Sequence, residues 1–542
     1  MEGCGSSVRG RRMLKPQPQF CRMFRPKTIR ILFIFLFVWL LLSMACNFPM
    51  LAPQGGRRDK QAQGTTNNLS SPALQTPEDD TFVTPLPGLN PDPTSLPEKI
   101  PATIEPPVES ADAYVYRAQS GDTLSAVASR FGVESDQIVS QQVIPAEGYI
   151  SLGQVLIIPK TLGETLSNMP SMPDSEVIYS PSTLDFQIEA YIADMGGFLS
   201  NYEEQVDGER LTGSQVVRRV AMETSTNPRL LLAFLEYRSG WVSGQPEDEE
   251  KQIYPIGFYV PGYRGLYKEL SLTAKQLNIG YYGWRQGSLT KLTFPDGSVK
   301  RLSPELNAGS VALQFLFSKF YKSSLWEQVL YGPGNFLPLY REMFGDAWER
   351  AKSVEPLLAP DVRQPELELP FAPGERWGFT GGPHKSWNTG TPPGALDFSP
   401  VTGDPPCSVS SAWVTASASG VVVRSEHDLL TLDLDGDGYE QTGWVLLFLH
   451  VADQERVPAG ALVDVDDRLG HPSCEGGNAT GTHVHIARKY NGEWIPADGP
   501  LPFVLSGWEL HGGSKSYQGY LVKGDRMIEA NPGGPQSSVI VR

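Results

Sequence analysis

The sequence predicts a multidomain α+β chain, and three observations carry that prediction. Residues 114–160 alternate like a strand, switch to helical spacing and close on a second apolar strand. Residues 180–355 carry apolar side chains at helical spacing. Beyond residue 376 the chain returns to short β-like runs punctuated by glycine. The length of 542 residues rules out a single small module. The expected order is a βααβ module, a mainly helical middle domain and a C-terminal antiparallel β-rich domain.

Residues 1–46 precede these elements and read as an export signal. Eight Lys and Arg residues against Glu2 alone fill the first 30 positions, ahead of ILFIFLFVWLLLSMAC at 31–46. An uncharged run of sixteen residues is short for a spanning helix, which needs ~20, and suits the apolar core of a signal. It ends Leu42-Ser43-Met44-Ala45-Cys46, which resembles a bacterial lipoprotein processing site, with Ser43 where such signals usually carry Leu. The resemblance implies lipidation of Cys46 and a membrane anchor; an uncleaved signal anchor is the alternative. Either way the positive flank stays cytoplasmic and the remainder is exported to the cell envelope, facing the wall. The chain carries −16 overall despite that basic start, so its body is strongly acidic and a nucleic-acid partner is excluded.

Residues 47–112 hold twelve prolines among Thr, Ser, Asn and Gln, too little apolar surface to offset ordering entropy, and read as a disordered tether. Of the five cysteines, Cys4, Cys21 and Cys46 belong to the N-terminal segment. Cys407 and Cys474 remain in the exported body and are expected to form a disulfide.

In the 113–162 module, Tyr114 and Tyr116 start a strand, and Ser120-Gly121-Asp122-Thr123 forms a turn and helix start. Leu124, Val127, Ala128 and Phe131 follow at helical spacing, a second helix is expected near 135–140, and Val155-Leu156-Ile157-Ile158-Pro159 closes as a strand. The early GDTL and late GQVLIIP make this segment similar to the LysM module. That resemblance implies binding to N-acetylglucosamine-containing glycan, such as peptidoglycan.

In the 180–355 domain, helices are expected at 214–223, 227–237 and 308–320, with Asn227 as N-cap and Pro228 in the first turn. The phrase NPRLLLAFLEYRSGW resembles the helix that carries the catalytic Glu of lysozyme-like lytic transglycosylases. Arg238 stands in the place of that acid, and a guanidinium cannot give a proton to a glycosidic oxygen. Glu236 and Glu223 are nearby but not in that position. A degenerate lysozyme-like fold without glycosidase activity is therefore one reading of this domain. Five prolines mark 356–375 as a linker or strap.

All seven histidines lie in the last third of the chain, after residue 383. Within the expected 376–510 domain, strands are read at 413–424, 429–434, 444–450 and 482–489, and residues 511–542 as a C-terminal extension. In Gly481-Thr482-His483-Val484-His485, strand alternation puts both imidazoles on one face. His384 stands in GGPHKSW, and Asp397 lies between Leu396 and Phe398, where a carboxylate is costly unless it meets a cation. Two His and one Asp suit a catalytic Zn²⁺, which keeps its fourth position for water. His450 ends the strand WVLLFLH.

Residues 376–500 resemble the lysostaphin-like and β-lytic (LytM-type) zinc metallopeptidases that cleave peptidoglycan peptides. The resemblance rests on GGPH…ALDF, on the His-ending strand and on CEGGNATGTHVHIARKYNG. It implies that His384, Asp397 and His485 bind zinc and that His450 and His483 act as general base and transition-state stabiliser. No HExxH helix is present to supply a Glu base. The thirteen residues from His384 to Asp397 resemble the β-lytic branch. His427, His471 and His511 receive no role. Asp433, Asp435 and Asp437 look like the start of a calcium loop, although position twelve is Trp444, so Ca²⁺ is at most a second cofactor there.

The expected function is an exported, wall-anchored zinc metalloendopeptidase hydrolysing peptide bonds of peptidoglycan. The alternative is a non-catalytic peptidoglycan-binding scaffold or regulator of another wall hydrolase.

Overall fold

The computed structural model describes residues 112–542 apart from Asn478. The expected export signal, the lipidation at Cys46 and nearly all of the tether lie outside the described residues. Among those residues no helix is long and apolar enough to cross a membrane.

The first module is built on two antiparallel strands, Ala113–Arg117 and Val155–Pro159, around the helix Leu124–Phe131. Thr123 caps that helix and Gly132 ends it in the left-handed region at φ 66°. Tyr116, Val127, Phe131, Leu156 and Ile158 fill its core. The second expected helix is only a 3-10 turn, Ser135–Gln137, because Val139 is drawn into a bridge with Ile157.

Helices dominate the middle domain: Gly213–Thr224, Pro228–Ser239, Leu266–Arg285 and Ala308–Phe317 share one core. Asn227 caps the second of these through the Arg229 N–H, with Pro228 in its first turn, as expected. The third, twenty residues long, was not among the expected helices. Its buried residues include Glu269, Thr273 and Asn278, so polar side chains interrupt the apolar period. Two β-hairpins also belong to the domain, Glu203–Val206 with Glu209–Thr212 and Lys291–Thr293 with Val299–Arg301.

The C-terminal domain is organised by a nine-stranded antiparallel sheet: β1 Arg376–His384, β2 Ala395–Pro400, β3 Gly420–Glu426, β4 Leu429–Asp433, β5 Trp444–Leu449, β6 Leu462–Val463, β7 Val484–Tyr490, β8 Glu493–Trp494 and β9 Val539–Val541. Their order is β6-β3-β4-β5-β7-β2-β1-β9, with β8 on the end of β7. Alternation divides the two faces. Leu396, Phe398, Leu446, Phe448, Val484 and Ile486 enter the domain's own core. Ala395, Leu447, Ala487 and Trp494 join the core of the middle domain instead.

Two expected boundaries are corrected. The 356–375 segment is no free linker: Leu367, Leu369 and Phe371 are buried in the C-terminal core, with Phe371 stacked on Trp377 at 5.1 Å. Nor is 511–542 an appendage. Val539–Val541 pairs with β1 inside the sheet, and Trp508–Gly512, Gly519–Lys523 and Arg526–Glu529 form a second sheet with Val504–Leu505. Both errors have one cause, since a segment flanked by Pro or Gly looks free until distant strands supply its partners. The expected 413–424 strand is likewise broken into Val414–Thr415 and β3.

Candidate metal centre

Strand register assembles the centre. On β7, His485 sits directly opposite Asp397 of β2 and opposite Leu449 of β5, the residue before His450. Asp397, His483 and His485 share their parity with Ala395 and Ala487, so they lie on the face that the middle domain covers farther along. His384 ends β1, and two register irregularities between Phe379 and His384 bring it beside Asp397. Gly381 makes this approach feasible, because a Cβ there would lie 2.4 Å from Asp397 Oδ2. His450 takes φ 66° where β5 ends, and its ring lies 4.5 Å from that of His483.

Backbone carbonyls decide what each imidazole offers. His384 Nδ1 lies 2.9 Å from the Gly382 carbonyl and His485 Nε2 3.0 Å from that of Ser386. His450 Nδ1 lies 2.8 Å from the Glu475 carbonyl and His483 Nδ1 2.7 Å from that of Gly481. A carbonyl only accepts, so these nitrogens carry the proton and the opposite nitrogen of each neutral ring presents a lone pair. His384 Nε2 and His485 Nδ1 therefore face each other at 3.0 Å, and stand 3.2 and 3.5 Å from Asp397 Oδ1.

Three acceptors converging without a proton between them repel one another unless a cation joins them. Asp397 Oδ1 is itself buried without a hydrogen-bond donor. Bonds of about 2.0–2.1 Å to a tetrahedral Zn²⁺ place ligand atoms roughly 3.3 Å apart, close to the three separations found here. The donor set thus fits zinc, and the carbonyls of Gly382 and Ser386 supply the outer partners that orient its imidazoles.

The electrostatics show the same demand for positive charge beside Asp397. Burial works to raise the Asp397 carboxyl, yet His384, with His485 and His483, holds it well below the usual carboxylate range. Burial opposes a charge on His384, but Asp397 outweighs it and the imidazole is raised. His450 is pushed down to about 3 by burial and then by His483, so it is neutral.

All five expected residues are brought together. Sequence reasoning missed Gly381, Gly382, Ser386 and Tyr517. The Tyr517 ring stacks on His384 at 4.3 Å from the segment read as an extension. Cys407 and Cys474 form a disulfide with Cα atoms 4.9 Å apart, next to the Glu475 carbonyl that orients His450.

The remaining histidines stay outside the cluster. His471 is held by the Ala412 carbonyl and Glu455, His427 approaches Glu209 at 3.5 Å, and His511 stacks on Tyr520. Asp433, Asp435 and Asp437 do gather their carboxylates within 4.8 Å. Backbone N–H groups of the same loop, Gly438 onto Asp433 and Tyr439 onto Asp437, already occupy part of that oxygen surface.

In the middle domain the residues at and near the expected glycosidase position have structural partners. Arg238 stacks on Phe320 and donates to the Ile256 carbonyl and the Tyr321 hydroxyl. Glu236 accepts from Val242 N and Ser243 N, and Glu223 from Arg219 and Tyr267.

Comparison with known proteins places these parts. The family described as LasA, N-terminal domain, matches residues 170–357, and the LysM domain matches residues 116–159. Protease LasA of Pseudomonas aeruginosa is 27% identical over 355 residues, 60% of this chain and 75% of that protein. This chain is homologous to protease LasA. Beta-lytic metalloendopeptidase of Achromobacter lyticus is 29% identical over 159 residues, 28% of this chain and 39% of its own length. Among solved structures, the M23 metalloprotease pseudoalterin from the deep sea is 23% identical, covering 31% of this chain and 96% of its own, with a TM-score of 0.27. The homology to LasA and beta-lytic metalloendopeptidase supports a peptidase, and the middle domain is of the LasA N-terminal kind.

Proposed function

We propose that this chain is an exported, wall-anchored zinc metalloendopeptidase that hydrolyses peptide bonds of peptidoglycan, with its LysM module binding N-acetylglucosamine-containing glycan. The observation that carries the proposal is the convergence of three ligand atoms, His384 Nε2, His485 Nδ1 and Asp397 Oδ1, beside two further imidazoles. The homology to LasA and beta-lytic metalloendopeptidase and the LysM match support it. His384, Asp397 and His485 would hold Zn²⁺, which, when bound, polarises a scissile carbonyl and brings the pKa of water to about 7.

The protein's own groups then divide the remaining work. His450, neutral and with Nδ1 committed to the Glu475 carbonyl, takes a proton at Nε2. His483, with Nδ1 committed to the Gly481 carbonyl, presents Nε2 toward the same space and, once protonated, donates to the developing oxyanion. Farther along that face of the sheet, Ala395, Leu447, Ala487 and Trp494 are covered by the middle domain.

The test combines metal analysis of the purified chain with mass spectrometry of fragments released from isolated walls. Stoichiometric zinc and new peptide ends that vanish with chelator are expected. Wall binding without fragment release would instead establish the scaffold reading.

A further inference from the structure

A second cluster of buried charge lies away from the histidines, where the LysM module, the middle domain and the C-terminal domain meet. Its centre is Arg285, at the end of the Leu266–Arg285 helix. The guanidinium donates to the Ser120 carbonyl of the LysM module. It also pairs with Asp174 of the middle domain at 3.0 Å and with Glu493 of β8 at 3.1 Å. Segment 355–358 runs through the same junction and touches all three parts. Glu355 accepts from Ser175 N and Ser175 Oγ, both at 2.9 Å. The Leu357 carbonyl accepts from Asn491 Nδ2 at 2.8 Å, and the Leu358 carbonyl from Ser120 Oγ at 2.9 Å. Leu357 and Leu358 are buried.

Charge at this junction does not balance. Asp174 and Glu493 both pair with Arg285, and Glu355 is held beside Asp174 by Ser175, so three carboxyls share one guanidinium in this neighbourhood. Of the other ionisable groups near it, Arg130 pairs with Asp122 in the LysM module and Glu176 with Arg350 in the middle domain, while burial keeps the Tyr149 and Tyr282 hydroxyls that face Glu493 neutral. Tyr281 gives its hydroxyl to Glu493. Three carboxyls against one guanidinium leave excess negative charge in a largely buried place, which favours a proton on one of them.

We propose that segment 355–358 and Arg285 form a proton-controlled junction, which holds the LysM turn at 120–122 against the other two domains while Glu355 is protonated and releases that turn when Glu355 ionises. The physical route is short. An ionised Glu355 beside Asp174 seeks water and moves, and it carries with it the Leu358 carbonyl that anchors Ser120. Three carboxylates then compete for Arg285, which weakens its bond to the Ser120 carbonyl.

The direction in pH follows from the group itself. Burial, and next Asp174, push the Glu355 carboxyl up to about 7 against the Ser175 donors and Arg285, which favour the ionised form. A carboxyl raised on folding stabilises the docked state most below its unfolded pKa of ~4.3, and that stabilisation is lost as pH rises through about 7.

Hydrogen exchange of the full chain, read by mass spectrometry as protection factors at 119–123 between pH 6 and 8.5, tests the junction. In the wild-type chain, protection of the turn should fall by about tenfold in all, most of it between pH 6 and 7.5, and level off above, where Glu355 is ionised in the docked state as well. Protection of β5, at the centre of the C-terminal sheet, should stay constant. Glu355→Gln should hold the turn protected throughout. Ser120→Ala should lower its protection several-fold at every pH while leaving the pH midpoint in place. A wild-type turn whose protection does not change with pH overturns the proposal, whether or not the variants fold. So does an equal pH response in Glu355→Gln.

Discussion

The histidine cluster and the helix end at Arg238 are both places where polar side chains gather against an apolar core, and they solve it in opposite ways. Around Arg238 most acid oxygens are satisfied: Glu236 takes two backbone N–H groups, and Glu269 Oε2 accepts from Ile256, Gly257 and Phe258 N–H. Glu269 Oε1 stands singly without a donor, and among the described residues no second acceptor converges on it. Around Asp397 the nearest nitrogens turn lone pairs toward an oxygen that has no donor. Satisfied acids hold loops in place. Unsatisfied acceptors that converge at ligand spacing require something from solution, and this difference separates a structural cluster from a site.

The largest effect should come from removing one of the converging acceptors. Asp397→Asn and His485→Ala are each expected to lose stoichiometric zinc and to bring wall-fragment release to background, measured by metal analysis and by muropeptide yield. Retention of zinc by both variants at the parent level would break the contrast. Next come the two imidazoles outside the acceptor triad. His450→Ala and His483→Ala should retain zinc while turnover falls by roughly 10²–10⁴-fold, the usual weight of a positioned acid or base.

A smaller loss tests the backbone beneath the site. Gly381→Ala sets a methyl group 2.4 Å from Asp397 Oδ2 and should weaken zinc affinity by about 10–100-fold, the range found when support of a ligand is disturbed. Competition with a chromophoric chelator reads this directly.

That glycine also marks the limit of what could be read from residues alone. His483 and His485 were legible because strand alternation is local, and Asp397 because a carboxylate between Leu396 and Phe398 is costly wherever it lies. Gly381 and Ser386 were not legible. Their roles depend on two irregularities in the pairing of β1 with β2 and on a loop carbonyl reaching β7, and neither leaves a periodic trace. Tyr517 and Val539–Val541 were missed for the same reason, since each acquires its partner from β1, more than 130 residues earlier. The long helix Leu266–Arg285 escaped because Glu269, Thr273 and Asn278 lie among its buried residues and blur the apolar stripe.

On the other side of the comparison, Glu236→Gln should leave fragment release within about twofold of the parent. Its cost should appear as stability, about 1 kcal/mol for weakened hydrogen bonds to Val242 N and Ser243 N, measured by denaturant titration. A large loss of turnover would mean that the helix end takes part in chemistry.

The smallest effect belongs to a cluster between these extremes. Asp433 is buried and accepts from Gly438 N, so it is partly satisfied, yet Asp435 and Asp437 crowd it with like charge. Burial, and then those neighbours, push its carboxyl up to about 6 against the pull of the Gly438 donor. A raised carboxyl holds its proton in the folded state. Its stabilising contribution is therefore complete below the unfolded pKa of ~3.9 and is lost as pH rises through about 6. Asp433→Asn should flatten the pH dependence of Tm across that window. Calcium added to the parent should raise Tm above pH 6.5, where the three carboxylates are ionised, and should do little at pH 4.5, where a proton holds the position. A Tm that ignores calcium at both pH values places this loop with Glu236, as an arrangement its own backbone satisfies, and leaves the histidine cluster as the place in the C-terminal domain where folding gathers acceptors it does not itself satisfy.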